Sequence, residues 1–469
     1  MSVIPVVQEL TPAPDPWEVA RKLSALPHLL FLDSRDRHPT RGRYSYVTAN
    51  PQRFQRVKLT ESKQAFPELD PVIRKGDLFH GDPALPPFRG GLAGLFGYGL
   101  QRATEAIPAP HADEFALPDL AVGVYDWVVS FDHVANRAWI VSTGYDASEG
   151  RFRESLARKQ LLFVRQILEN PEPARFPTTR PHPEPLTSLK RHRLSEHPPL
   201  DSNFSREEYL RAVQRVVDYI HAGDAFQVNL SQRLLTPLRD HPLEQYDRLR
   251  RACPSPYACY FDAGEFQILS ASPEQFLQVS PRGEVVTRPI KGTRPRGTTV
   301  EADQDLLHDL VTNPKDRSEN VMIVDLMRND LGRVCEFGSV TVPKVCQVET
   351  YNYVHHLVSE VRGQLSPGKT ALDLLEACFP GGSVTGAPKV RAMEIIAELE
   401  PTARGPYCGS MGFIGFDGAM DTNILIRTMT AAHGWLQFPV GGGIVADSLP
   451  ELEYEETLHK AAGIIRSLV

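Results

Sequence analysis

Between Asn170 and Pro199 the chain reads NPEPARFPTTRPHPEPLTSLKRHRLSEHPP, with eight prolines and little apolar content. Proline has no backbone N–H and fixes its own φ, so a run this rich in it suits neither a helix nor a central strand. Residues 171–203 therefore read as a linker in which no packed element forms. It separates an N-terminal region, 1–170, from a C-terminal region, 204–469. At 469 residues the chain is long for a single core, and two domains agree with the usual size of about 100–200 residues each.

Helical patterns flank the linker. EGRFRESLARKQLLFVRQILEN precedes it, and after it Ser205 and Glu208 form the S-x-x-E capping box of REEYLRAVQRVVDYIHAG. That pattern repeats apolar residues at Tyr209, Val213, Val216, Val217 and Ile220 and stops at Gly223. Strand alternation follows, with Phe226, Val228 and Leu230 on one face and Gln227, Asn229 and Ser231 on the other. The N-terminal region is mostly strands, in GRYSYVTA, GGLAGLFGYG, AVGVYDWVVSFD and RAWIVSTG. The C-terminal region mixes strands such as FQILSAS and GFIGFDG with strong helices. Both regions read as α+β without a short-period repeat.

Bulk properties narrow the partners. A net charge of -7 leaves no electrostatic footprint for nucleic acid. The six cysteines form no CxxC pair, which favours reduced thiols over a disulfide framework. MSVIPVVQELTPAPDPWEVA lacks a basic leader and is broken by four prolines, and no apolar run is long enough to span a membrane. A cytoplasmic location with no membrane association is the expectation.

Two glycine loops resemble nucleotide sites and fail the test. GGLAGLFGYG has the dinucleotide spacing reversed, and close backbone packing is the better reading. PGGSVTGAPK separates Gly381 from Gly386 by four residues, yet Ala387-Pro388 replaces the Lys-Ser/Thr of a phosphate loop. With Pro388 at the first position of the helix PKVRAMEIIAELE, it remains a general anion site suited to a carboxylate.

Two helices carry paired acids. In DSLPELEYEETLHKAAGIIRSLV, Asp447 or Ser448 is the expected cap, and Tyr454, Leu458, Ala461 and Ile465 form the buried stripe. Glu453, Glu456 and Lys460 lie on a different side. In NPKDRSENVMIVDLMRNDLG, Asp316 and Glu319 lead straight into the apolar run Val321 to Leu326. If the two helices face one another, four carboxylates converge and need a cation between them, and oxygen-only ligation points to Mg2+. The stretch TRPIKGTRPRG adds four cations, Arg288, Lys291, Arg294 and Arg296.

Taken in order, GDAFQVNLSQR, SASPEQFL, RPIKGTRPRG, ENVMIVDLMRNDLGRV, PGGSVTGAPKVRAMEII and GGGIVADSLPELEYEETLHKA resemble the motifs of the chorismate-utilising enzymes. The resemblance covers most of the chain, and LFLDS and GRYSY resemble that family's amino-acid pocket. It implies an α+β fold of two stacked antiparallel-rich β-sheets flanked by helices, with the active site in the central cleft. It also implies Mg2+ held by Glu319 and Glu456, with Asp316 and Glu453 reaching it through water, and Glu274 as general acid/base on the ring hydroxyl. Thr293, His356, Tyr407, Arg427, Gly442, Gly443 and Lys460 match positions that contact chorismate. Ser34, Arg43, Tyr44, Pro256 and Tyr257 match a tryptophan pocket, with Asp33 where the family often has glutamate. Taken singly, His356, Arg427 and Tyr407 would read as ordinary packed residues.

Within the family, anthranilate synthases read P-I-A-G-T where this chain has Pro289-Ile290-Lys291-Gly292-Thr293. Lysine there, together with Asn229, resembles the aminodeoxychorismate synthase branch, which serves 4-aminobenzoate and folate synthesis. The resemblance implies that Lys291 adds at C2 of chorismate and so opens C4 to ammonia. Neighbouring arginines and desolvation lower the pKa of such an amine, and the acidic helices raise it. The chain has no G-x-C-x-G glutaminase elbow, so a separate glutaminase subunit is the expected partner. Nothing in it resembles a pyridoxal-phosphate lyase, and release of 4-aminobenzoate is expected to need another enzyme. Anthranilate synthase is the alternative reading.

Overall fold

Strand pairing in the computed structural model is antiparallel throughout, and it builds two large sheets. The structure describes residues 5–36, 41–59, 69, 82, 84–170, 183–186, 190–351 and 354–469. The first sheet runs, in spatial order, Val6–Leu10, Arg137–Ser142, Trp127–Asp132, Tyr44–Thr48, Leu30–Asp33, Tyr257–Asp262, Phe266–Ser272, Thr428–Ala432, Trp435–Ile444, Gln227–Pro237, Pro199–Ser202 and His192–Glu196. Gly386–Ala387 also pairs with Gln227–Pro237. The second sheet runs Ile290–Pro295, Val354–Gln364, Glu284–Thr287, Gln275–Val279, Met420–Ile424, Ser410–Gly415, Gly91–Phe96, Leu120–Tyr125 and Arg53–Val57, with Thr341–Thr350 also pairing to Val354–Gln364.

Face-to-face stacking of the two sheets follows from their apolar faces. Tyr46, Val128, Phe261 and Ile268 of the first sheet share one buried cluster with Ala93, Leu95, Met411 and Phe413 of the second. Helices cover the outer faces. Pro16–Leu23, Glu154–Glu169, Pro242–Ala252 and Pro450–Arg466 pack on the first sheet, and Pro314–Gly332 and Ala371–Cys378 on the second. The α+β fold of stacked antiparallel sheets flanked by helices is thus present, and each sheet joins a block of strands from 1–170 to a block from 204–469.

Several local expectations hold for the stated reasons. Glu208 N–H donates to Ser205 Oγ at 3.1 Å and Ser205 N–H to Glu208 Oε2 at 2.8 Å, closing the capping box of Arg206–His221. Gly91 and Gly94 have φ of +143° and +144°, and a Cβ there would lie 2.2 Å from Ile414 O and 2.3 Å from Ala121 O. Glycine is needed for close strand approach.

Others are corrected. The C-terminal end of the expected linker folds, because His192–Glu196 and Pro199–Ser202 form a hairpin that pairs onto Gln227–Pro237. Proline is tolerated there because it opens a strand near the sheet edge. Trp435 Nε1 donates to Glu184 O at 2.8 Å, docking a further linker residue. Residues 171–182 and 187–189 of that stretch lie outside the described residues. Phe226 precedes its strand and is 70% exposed, while the polar face of Gln227, Asn229 and Ser231 is buried. The last helix is capped by Leu449, not by Asp447 or Ser448. AVGVYDWVVSFD supplies two strands to different sheets, the chain crossing over at the fully buried Asp126. All six cysteines are free thiols, and no helix among the described residues is long and apolar enough to cross a membrane.

Candidate active site

Two chain crossings between the sheets border a cleft. A cavity of about 620 Å3 opens there, a size suited to a small organic ligand. Glu274 lies between Phe266–Ser272 and Gln275–Val279, and Arg427 between Met420–Ile424 and Thr428–Ala432, so each sits where the chain leaves one sheet for the other. Lys291 and Thr293 come from Ile290–Pro295, His356 from Val354–Gln364, and Gly443 from Trp435–Ile444. Asp316 and Glu319 enter from Pro314–Gly332, and Glu453, Glu456 and Lys460 from Pro450–Arg466. Tyr407 completes the set. Gly442 lies in the same strand as Gly443 and turns toward Glu453 and Glu456.

The four cations of TRPIKGTRPRG part company here. Arg288 pairs with Glu360 at 2.9 Å and Glu349 at 3.2 Å, Arg294 with Asp309 at 2.6 Å and Asp316 at 2.9 Å, and Arg296 with Asp303 at 2.8 Å. Lys291 Nζ, 13% exposed, lies 3.9 Å from Glu319 Oε2, too far for a hydrogen bond. Burial lowers the pKa of its amine, against the opposing pull of Glu319 and with help from Lys460. Gly443 makes room for it, since a Cβ there would be 3.4 Å from Nζ.

Glu274 is 6% exposed and accepts a hydrogen bond from Ser383 Oγ at 2.8 Å. Burial pushes its carboxyl up to about 7, with Ser383 and Lys291 pulling the other way. A group titrating there can give or take a proton near neutrality. Burial takes His356 down to about 4, so it is neutral, and its Nδ1 lies 2.9 Å from Thr293 Oγ1. Arg427 adopts φ of +52°, and burial lowers its pKa. None of the described residues gives its guanidinium a hydrogen-bonding or ion-pairing partner. A desolvated cation facing a cavity without a counterion is built to receive an anion.

The acidic residues are arranged less simply than four converging carboxylates. Among the described residues no three Asp, Glu, His or Cys side chains form a ready-made metal cluster. Asp316 is tied to Arg294, and Lys460 Nζ bonds Glu456 Oε1 at 2.6 Å and Gly441 O at 2.9 Å. Glu453 is 6% exposed; its Oε1 accepts from Ser448 Oγ at 2.6 Å, while its Oε2 is buried with no partner. A Cβ on Gly442 would sit 3.1 Å from both that orphan and Glu456 Oε1. Burial raises the pKa of Glu453 and Glu319. Glu456, also penalised by burial, is held below the ordinary range by the Lys460 ammonium. This oxygen cradle fits a hard cation that takes one or two carboxylates and otherwise water and an anionic ligand.

A second cavity of about 350 Å3 lies between the sheets and gathers Ser34, Arg43, Tyr44, Pro256 and Tyr257. Ser34 Oγ donates to Tyr44 O at 2.5 Å, so its hydroxyl is engaged by the wall. Arg43 is committed to Asp132 at 2.7 Å, and Asp33 to Arg250 at 2.7 Å. Gln275, Asp421 and Asn423 also line this space.

Residues 29–466 match the model of the family described as chorismate binding enzyme. The chain belongs to this family. Anthranilate synthase component 1 of Thermus thermophilus is 45% identical over 82% of this chain and 79% of its own length. Aminodeoxychorismate synthase component 1 of Salmonella typhimurium is 44% identical over 82% of this chain and 78% of its own. The crystal structure of anthranilate synthase component I from Streptococcus pneumoniae superposes with a TM-score of 0.77 at 33% identity, covering 92% of this chain and 93% of that one. As a member of the family, the chain is a chorismate-utilising enzyme. Relatives of both kinds stand at nearly equal distance, so overall identity does not choose between them.

Sequence reasoning missed Ser383, Glu400 and Arg404. Ser383 lay inside PGGSVTGAPK, read as a backbone anion loop, and its hydroxyl instead serves Glu274. A serine in a glycine-rich turn was the available signal.

Proposed function

We propose that this enzyme is the first component of an aminodeoxychorismate synthase, converting chorismate and ammonia to 4-amino-4-deoxychorismate and water. The observation that carries the reading is Lys291: a desolvated amine, free of a tight ion pair, in the same cavity as a carboxyl that titrates near neutrality. In this reading Lys291 Nζ attacks C2 of the ring as the C4–O bond breaks and the ring double bonds shift. Glu274 gives its proton to the departing hydroxyl and takes one back from the new secondary ammonium. Ammonia then attacks C4 while Glu274 returns its proton to the Lys291 nitrogen; the double bonds return, the Lys291 amine leaves C2, and the new C4 ammonium gives its proton to the Glu274 carboxylate.

The substrate is a dicarboxylate. Arg427 supports one carboxylate, and His356 with Thr293 and Tyr407 orient the ring. Glu456 and Glu453, with Glu319 opposite, would hold Mg2+, which when bound supplies positive charge for the substrate's second carboxylate. The orphaned Glu453 Oε2 and the Gly442 cradle support that assignment. Ammonia is expected from a separate glutaminase subunit, in keeping with the component 1 designation of the relatives. The second cavity is proposed to take tryptophan, its indole held among Tyr44, Tyr257 and Pro256.

The Thermus relative favours a second reading, anthranilate synthase, in which ammonia adds at C2 directly and pyruvate is lost. Product analysis by mass spectrometry after incubation with chorismate, Mg2+ and ammonium separates the two. An aminated product that retains the enolpyruvyl group is expected, and fluorescent anthranilate with pyruvate would overturn the proposal.

A further inference from the structure

Arg404 is 5% exposed, and all three of its guanidinium nitrogens donate hydrogen bonds, two of them to carbonyls of residues that line the active-site cavity. Nε and Nη2 bond the two oxygens of Glu400 at 2.9 and 2.7 Å. Nη1 reaches Val384 O at 3.1 Å and Nη2 reaches Asn229 O at 2.8 Å. The guanidinium also lies 5.7 Å from the centre of the Tyr407 ring and 4.7 Å from that of Tyr98. Glu400 in turn accepts from the N–H and Oγ of Ser231, both at 2.8 Å. Three separately supplied pieces of the cavity wall meet on this one ion pair: the Gln227–Pro237 strand at Asn229, the Gly382–Val384 turn, and Tyr407.

A buried ion pair is a poor device for stability alone, because desolvation offsets its attraction and a well-packed apolar pair often does as well. What an apolar pair cannot do is join two buried carbonyls from different elements through a planar fork. The turn that Arg404 grips at Val384 carries Ser383, whose hydroxyl bonds Glu274 Oε1 at 2.8 Å.

We infer that Arg404, paired with Glu400, is a positioning residue that holds the Gly382–Val384 turn against the Gln227–Pro237 strand so that Ser383 stays within hydrogen-bonding distance of Glu274. This rests on the reading of Glu274 as the group that handles the proton of the substrate hydroxyl. Other groups facing Glu274 are the Lys291 amine, the Arg41 guanidinium, the Cys408 thiol and the Ile290 N–H. The Ser383 bond favours the charged carboxylate, so its loss raises the Glu274 pKa.

The test uses the full chain with chorismate, Mg2+ and ammonium. Arg404→Lys keeps the charge and loses the fork. It is expected to lower kcat by about 10²-fold with a smaller change in KM, as for displaced catalytic geometry. The Glu274 limb of the pH profile should move to higher pH. Ser383→Ala should give the same limb shift, and adding Arg404→Lys to it should shift the limb no further. An unmoved limb, or shifts that add, would overturn the inference. Should Arg404→Lys fail to fold, Glu400→Gln answers the same question with the same two outcomes. The Glu274 carboxyl band, read by infrared titration of wild type minus Glu274→Gln, reports the shift without turnover. Wild-type protein that consumes no chorismate while Arg404→Lys still shifts that band would sink the functional reading and leave the positioning role standing.

Discussion

Lys291 Nζ stands 3.9 Å from Glu319 Oε2, whereas Arg288, Arg294 and Arg296 in the same stretch each hold a carboxylate at 2.9 Å or less. The difference matters because a tight ion pair would keep the amine protonated and unreactive. Lys291→Ala is expected to abolish formation of a covalent adduct with chorismate and to reduce chorismate consumption by at least about 10²-fold, the scale of losing an oriented reacting group. Intact-mass analysis without ammonia reads the adduct on wild type. Its absence there, under conditions that turn over once ammonium is added, would remove the nucleophilic role.

Glu274 sets a pH dependence whose sign can be worked out. The carboxyl must be protonated to give its proton to the leaving hydroxyl, and burial holds its pKa near about 7. kcat/KM for chorismate should therefore fall as pH rises through about 7. Glu274→Gln should lower kcat/KM by roughly 10²- to 10⁴-fold and erase that limb. A Glu274→Gln enzyme that keeps the same limb would assign it to another group.

How much of this could be read from the sequence differs by element. The capping box at Ser205 and the strands bounded by glycine were legible because their signals are local, lying within a few residues. The stacked sheets and the meeting of Lys291, Glu274, Arg427 and Glu456 came from the family resemblance, since nothing local brings residues so distant in sequence into one cavity. The hairpin at 192–202 was hidden by its prolines. Arg404 was invisible for a different reason: besides Glu400, it holds the Val384 and Asn229 carbonyls, backbone groups that no side-chain pattern announces. The partial commitment of Asp316 to Arg294 also depended on tertiary contact.

Gly442 tests the cation cradle. A Cβ added there would lie 3.1 Å from Glu453 Oε2 and from Glu456 Oε1, tight enough to displace at least one of them. Gly442→Ala is expected to raise the Mg2+ concentration for half-maximal activity by about 10- to 100-fold, the usual scale for disturbing groups that orient metal ligands. Titration calorimetry with Mg2+ on the chorismate-bound enzyme should show the same weakening. Unchanged Mg2+ affinity in a folded variant would move the metal away from this pair.

Asp126 offers a stability test far from the chemistry. It is fully buried where the chain crosses between sheets, its Oδ1 has no partner, and its Oδ2 accepts from Gln52 Nε2 at 3.2 Å. Burial raises its pKa from 3.8 to about 7. Between those two values the folded protein holds a proton that the unfolded chain releases, so this residue makes stability fall as pH rises, and the full penalty is present above about 7. Asp126→Asn removes the charge without changing the shape. It should stabilise the protein more at pH 8 than at pH 5, by roughly 1–3 kcal/mol of difference. Denaturant unfolding at the two pH values measures this. An equal effect at both would mean that Asp126 titrates normally and that water reaches the crossing.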